Sequence, residues 1–140
     1  MEKQWRVLIT RDIPQVGVEI LRSYCEVEIN TEDIPLKKSE IMDRVRNKQA
    51  LCAVGDIIDS EIMDSGPSLK VIANYGVGYD NIDIEAATKR GILVTNTPGV
   101  LTESVAEMTW CLLLCIARRV IEADNFVRTG KFKWTGPKMF

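Results

Sequence analysis

The residues best suited to chemistry in this 140-residue chain lie in one run, Asn74-Tyr75-Gly76-Val77-Gly78-Tyr79-Asp80-Asn81-Ile82-Asp83. Two glycines let a backbone turn tightly and bring bare N–H groups close to a ligand. Successive N–H groups of this kind form an anion-binding nest, for which a carboxylate is a suitable guest. A plain strand-to-helix turn with Asp83 as N-cap is the alternative, and residue types alone favour it. The run is not a dinucleotide fingerprint. After Gly76-x-Gly78 that would require a third glycine where Asn81 stands, and no other GxGxxG, P-loop, GxSxG or HExxH occurs.

The chain contains no histidine. Histidine is the commonest general acid or base near neutral pH, so chemistry that needs one must draw it from outside these residues. The four cysteines, Cys25, Cys52, Cys111 and Cys115, form no CxxC, and no zinc site is expected. Cys111 and Cys115 are spaced to share one helix face, which predicts a pair of buried small hydrophobes. Eighteen basic and 20 acidic residues leave a net charge of −2, without the basic stripe that nucleic-acid binding needs. The pairs Lys37-Lys38 and Arg118-Arg119 read as solvated helix surface. No apolar run reaches the roughly 18 residues of a membrane span, and the polar start has no signal-peptide layout. A reduced, cytoplasmic protein is expected.

The elements that must hold the glycine run follow from hydrophobic period. Trp5 to Thr10 and Leu69 to Ala73 predict buried strands, Ala50 to Val54, an apolar run without alternation, one buried on both sides, and Ile92 to Thr95 a fifth strand. Cys25 to Ile29 alternates apolar and polar, as an edge strand does. Between them stand helical patterns: one opened by Pro14, one N-capped by Ser39 over Glu40 to Asn47, one starting at Ser60, and one capped by Asp83 and stopped by Gly91. Strands alternating with helices argue for a doubly wound parallel sheet, here a flavodoxin-like α/β sheet of five strands in the order 2-1-3-4-5.

After Pro98-Gly99 the pattern changes. Leu101 to about Arg128 contains no glycine or proline and predicts one long helix, with Thr102 as N-cap and Glu103 near its positive end. Met108 to Ala117 is apolar nearly all round, so a second domain or subunit is expected to cover it. Gly130 to Phe140 has no period and reads as an arm carrying Phe132, Trp134, Met139 and Phe140.

The run 74–83, then Gly91-Ile92-Leu93-Val94-Thr95-Asn96-Thr97-Pro98, then Val105-Ala106-Glu107, match in order and spacing the landmarks of one family. The chain resembles the D-isomer-specific 2-hydroxyacid dehydrogenases. The wording is nearest to glyoxylate/hydroxypyruvate reductases, with D-3-phosphoglycerate dehydrogenase next. The resemblance implies that residues 1–98 are the N-terminal part of a substrate-binding domain. Residues 99–140 would be a crossing helix and dimerisation arm leading to a nucleotide-binding domain. It further implies that Gly76, Val77 and Gly78 hold a substrate carboxylate and that Gly55, with Asp56, lines the same cleft. Val77 and Thr102 would lie near an NAD or NADP cofactor.

The family's GxGxxG and its catalytic Arg, Glu and His are missing from these residues. The expectation is an N-terminal fragment of an oxidoreductase, inactive by itself, with no catalytic residue of its own. Its parent would transfer hydride between NAD(P)H and a 2-oxo or D-2-hydroxy acid and form a homodimer. The rival is a non-catalytic small-acid-binding or receiver-like α/β module. A receiver would want clustered carboxylates at the end of the first strand, where Thr10-Arg11-Asp12 offers one.

Overall fold

A computed structural model describes residues 5–32, 34–134 and 136. Residues Met1–Pro98 and Gly99–Phe140 form two compact units.

The first unit alternates strand and helix: β1 (Trp5–Ile9), α1 (Gln15–Tyr24), β2 (Cys25–Ile29), α2 (Lys38–Val45), β3 (Ala50–Ala53), α3 (Ser60–Ser65), β4 (Val71–Asn74), α4 (Ile84–Lys89) and β5 (Leu93–Thr95). The sheet order is β2-β1-β3-β4-β5 and every pairing is parallel, as the sequence predicts. β2 is an edge strand, in keeping with its alternating pattern.

Successive strand residues point to opposite faces, so one strand feeds two cores. Leu8 joins the larger core with Leu51, Ile72 and helix residues such as Ile41, Ile62 and Ala87. Its neighbours Val7 and Ile9 pack on the other face with Val18 of α1. That second face is covered by α1 over β1 and β2, whereas Val71 and Ala73 of β4 are only half-buried and Leu93 of β5 is 70% exposed. β3 and β4 therefore alternate buried with half-buried, and the burial on both sides expected of Ala50 to Val54 is complete on one face only.

The helix boundaries fall within a residue or two of those the sequence predicts. Asp83 caps α4, accepting from the Ala86 N–H at 2.8 Å. Gly91 follows with φ +64, the left-handed stop a glycine allows. Ser39 is not the N-cap of α2. Lys37 holds that place, and its N–H donates to Glu40 Oε2 at 2.8 Å, which ties the acidic third residue back over the helix start.

The second unit holds α5 (Thr102–Ala117) and α6 (Val120–Arg128). The single long helix is thus two. The Arg119 backbone turns left-handed, φ 51, and its guanidinium pairs with Glu122 at the start of α6. The Arg118 and Arg119 N–H groups close α5 on the Leu114 and Ile116 carbonyls. No glycine marks this break, so residue types carry no signal for it. Thr102 is the first helical residue, not the N-cap, a place taken by Leu101. No residue of α5 is buried, and Cys111 is exposed while Cys115 is half-buried, so the predicted buried pair is not found. Trp134 of the expected arm is 75% exposed, and Met139 and Phe140 lie outside the described residues.

Candidate functional site

β1, β3 and β4 are neighbours, so the loops leaving their carboxyl ends lie side by side. Ligands in open α/β sheets bind at such ends. Gly55 and Asp56 follow β3, and Gly76-Val77-Gly78 follows β4. The two loops are joined by a parallel bridge between Ile58 and Ile82: Ile58 N–H donates to the Asn81 carbonyl at 2.8 Å, and Asp83 N–H to the Ile58 carbonyl at 3.0 Å.

In the glycine loop every carbonyl is engaged. The Gly76 carbonyl accepts from the Thr97 N–H at 3.0 Å. The Val77 carbonyl accepts from Asn96 Nδ2 at 2.8 Å, and the Gly78 carbonyl from Asn74 Nδ2 at 2.5 Å. The N–H groups of Gly76, Val77 and Gly78 donate to no acceptor among the described residues. A peptide whose carbonyl is held on one side presents the next residue's N–H on the other, so the held Gly76 and Val77 carbonyls turn out the Val77 and Gly78 N–H groups as a short row of donors. Val77 and Gly78 are exposed and Gly76 is half-buried. Such a row suits one small anion.

Neither Gly76 nor Gly78 has a positive φ, so they do not serve for left-handed backbone. Gly78 is short of space, whereas a Cβ on Gly76 would make only ordinary contact. A Cβ on Gly78 would sit 3.1 Å from Asp80 Oδ1, and one on Gly76 would sit 3.4 Å from Asn74 Nδ2. Gly55 is the glycine that uses its freedom, with φ +79.

Asp56, beside Gly55, is buried, and its Oδ2 accepts from Thr10 Oγ1 and from the Val54 N–H. Burial, with the nearby Asp56 charge, pushes the Cys52 thiol above its ordinary value and leaves it a poor nucleophile. Asp56 is thus locked inside the fold, not presented for phosphorylation as a receiver-like module would require.

A cleft of about 480 Å³ adjoins Gly55 and Asp56, with Arg11 and Lys38 on its walls. The residue pattern marks Arg11 only as the polar end of β1. Its Nε is buried without a hydrogen-bond partner among the described residues. Lys38 is engaged by Asp59 and Glu61, each at 2.6 Å, and these hydrogen bonds raise its pKa. A second cleft, about 530 Å³, runs from Tyr79 and Asn96 along the free edge of β5 past Ile84 and Leu93. Its polar end is the residue that holds the Val77 carbonyl, a role for Asn96 that no residue pattern announced.

The glycine loop does not suit a dinucleotide pyrophosphate. Helix α4 is six residues long, its start is capped by the Asp83 carboxylate, and Glu85 adds a second negative charge in its first turn. A diphosphate drawn to that helix end would meet these carboxylates. A single carboxylate on the loop's own N–H groups needs no helix. Among the described residues no group of three side chains could hold a metal ion, and no helix is long and apolar enough to cross a membrane. Thr102 opens α5 in the second unit.

Comparison with known proteins agrees with this architecture. Glyoxylate reductase from Thermococcus onnurineus is 49% identical over 140 residues, covering 96% of this chain and 42% of its own length. The crystal structure of a protein from Thermus thermophilus matches with a TM-score of 0.92 and 46% identity, over 96% of this chain and 43% of that one. The NADPH-dependent glyoxylate/hydroxypyruvate reductase of Sinorhizobium meliloti, solved with NADP and malonate, matches at TM-score 0.77 and 33% identity, over 92% and 39%. The chain therefore spans about two fifths of the length of these relatives. Residues 7–131 match the profile of the D-isomer specific 2-hydroxyacid dehydrogenase catalytic domain, and it is to that family that this chain belongs.

Proposed function

We propose that this chain supplies the substrate-carboxylate half of an oxidoreductase that interconverts a small 2-oxo acid and its D-2-hydroxy acid with NAD or NADP. The single observation that carries the reading is the loop Gly76-Val77-Gly78, whose three carbonyls are all held by donors while its N–H groups have no acceptor among the described residues. The Gly76, Val77 and Gly78 amides would grip the substrate carboxylate, and Gly55 would border the adjoining space. A carboxylate held at fixed N–H groups fixes the attached C2 carbonyl, so the contribution of these residues is positioning. Val77 and Thr102 would lie near the nicotinamide, which brings the hydride. Hydride and proton transfer need groups beyond this chain, which contains no histidine. Glyoxylate is the substrate favoured by the names of the relatives. Residues 1–98 would be the substrate-binding portion and 99–140 a crossing helix and homodimer contact. Four free cysteines suit a reducing compartment, the cytoplasm.

The test is a titration of the ¹⁵N-labelled chain with glyoxylate, with chloride as control. Saturable shifts confined to the amides of residues 76–78 and their neighbours are expected. Shifts elsewhere, or none, would overturn the reading. The chain alone is expected to oxidise no NADH with glyoxylate, as followed by absorbance.

A further inference from the structure

Asn74 is the last residue of β4, and it is buried, with 5% exposure. A buried amide must be hydrogen-bonded, and its partners dictate its orientation. The Gly78 carbonyl can only accept, so Asn74 must turn Nδ2 toward it, at 2.5 Å. Asn74 Oδ1 then accepts from Asn81 Nδ2 at 3.2 Å. The same Asn81 Nδ2 donates to the Asp56 carbonyl at 2.8 Å. Asp56 in turn is held through its carboxylate by Thr10 Oγ1 and the Val54 N–H. Thr10 is fully buried at the end of β1, and its hydroxyl also lies 3.0 Å from the Val54 N–H.

These residues form one continuous line of hydrogen bonds from β1, through the loop after β3, to the loop after β4. We propose that Asn74 is a positioning residue, and that the line Thr10–Asp56–Asn81–Asn74 is a buried strut that sets the angle at which Gly78 and its neighbours present their N–H groups to a carboxylate. The inference rests on the carboxylate reading of the loop. Its physical content is that a peptide plane is rigid. Fixing the Gly78 carbonyl fixes the plane that carries the Tyr79 N–H and so the exit of the glycine loop, and fixing the Asp56 carbonyl fixes the plane that carries the Ile57 N–H, one residue past Gly55. Sheet pairing alone ends at Asn74 and leaves these planes unset. The bridge between Ile58 and Ile82 holds the loops together whether or not Asn74 is intact, so the strut governs orientation and not the fold.

The experiment is the glyoxylate titration repeated on Asn74→Asp, Thr10→Val and Thr10→Ser. Asn74→Asp keeps the shape but replaces the donor with an acceptor facing the Gly78 carbonyl. It should weaken glyoxylate binding at least tenfold and move the Gly55 amide resonance in the ligand-free chain. Thr10→Val keeps the volume and removes the hydroxyl, and it should weaken binding several-fold although Thr10 precedes both loops. Thr10→Ser restores the hydroxyl and should restore binding to within about twofold. Packing alone would give the reverse order, because serine leaves a cavity and valine does not. If Asn74→Asp loses its dispersed spectrum, the Thr10 pair decides. Equal affinity in all four proteins, or Thr10→Ser failing as badly as Thr10→Val, overturns the strut and leaves the carboxylate site standing. A lack of response in the unmodified chain overturns the carboxylate site, and the strut's role with it.

Discussion

The Asn96 side chain donates to the Val77 carbonyl at 2.8 Å, so the end of β5 holds the turn that leaves β4. Together with the Thr97 N–H on the Gly76 carbonyl, it places the glycine loop between two strands' ends. The loop is thereby a built feature with little slack, and small additions to it should be felt.

Gly78→Val tests that tightness. An added Cβ would come within 3.1 Å of Asp80 Oδ1, and the branched side chain would stand over the N–H row. Glyoxylate affinity should fall at least tenfold in the amide titration, while the melting temperature drops by only a few degrees. Unchanged affinity in the folded variant would place the carboxylate site elsewhere.

Arg119 tests the break between α5 and α6. In a continuous exposed helix, glycine is worse than alanine by about 1 kcal/mol. At a left-handed residue the order reverses, because alanine suffers the Cβ clash that glycine escapes. Both substitutions remove the Arg119–Glu122 ion pair, so the comparison is between Gly and Ala alone. Arg119→Gly should be more stable than Arg119→Ala in urea unfolding. The opposite order would mean one uninterrupted helix.

Acid should weaken the first unit through two carboxylates. For Asp59, burial works upward, but the Lys38 hydrogen bond and the Ile62 N–H outweigh it and hold the carboxyl below its ordinary value. Asp64 is held low chiefly by its hydrogen bond from Arg90. A depressed folded pKa contributes stability that is fully present above the unfolded value, about 3.9. That contribution is lost as pH falls through the folded values. Unfolding free energy should be level in this respect from pH 7 to 5 and fall below about pH 4, with a shallower fall in Asp59→Asn/Asp64→Asn. An unaltered acid slope in the double variant would show that these pairs contribute nothing.

The second unit should self-associate. Val105, Met108, Trp110, Leu112, Leu114 and Ile116 of α5 are each more than half exposed in the chain. Burying each such side chain is worth roughly 1.5–3 kcal/mol, and apolar patches of this extent are rarely left in water. A two-fold pair is the commonest way to cover one. Sedimentation equilibrium should find dimers or larger species at micromolar concentration, and Leu112→Glu/Ile116→Glu should return a monomer. A monomer of the unmodified chain at high micromolar concentration would contradict this expectation.

The order of the five strands, their parallel pairing and the edge place of β2 were all legible in residue patterns. The strands, the helices and the exposed edge of β2 rest on short-range periodicity that each element displays by itself, whereas order and parallel pairing follow from strand–helix alternation under general rules for α/β sheets. So were the Asp83 cap and the Gly91 stop, because a capping carboxylate and a left-handed glycine act within four residues. The glycine loop could be located by type and spacing, but not the reason for its glycines. Positive φ falls on Gly55 and not on Gly76 or Gly78, and of those two only Gly78 is crowded by a neighbouring side chain. The donors that hold the loop come from Asn74, Asn96 and Thr97, and the Thr10–Asp56 contact spans 46 positions of sequence. No local pattern records such partners. They are set only when parallel β1, β3, β4 and β5 bring their carboxyl ends to one edge, where a buried amide or hydroxyl must find whatever acceptor the neighbouring strand delivers.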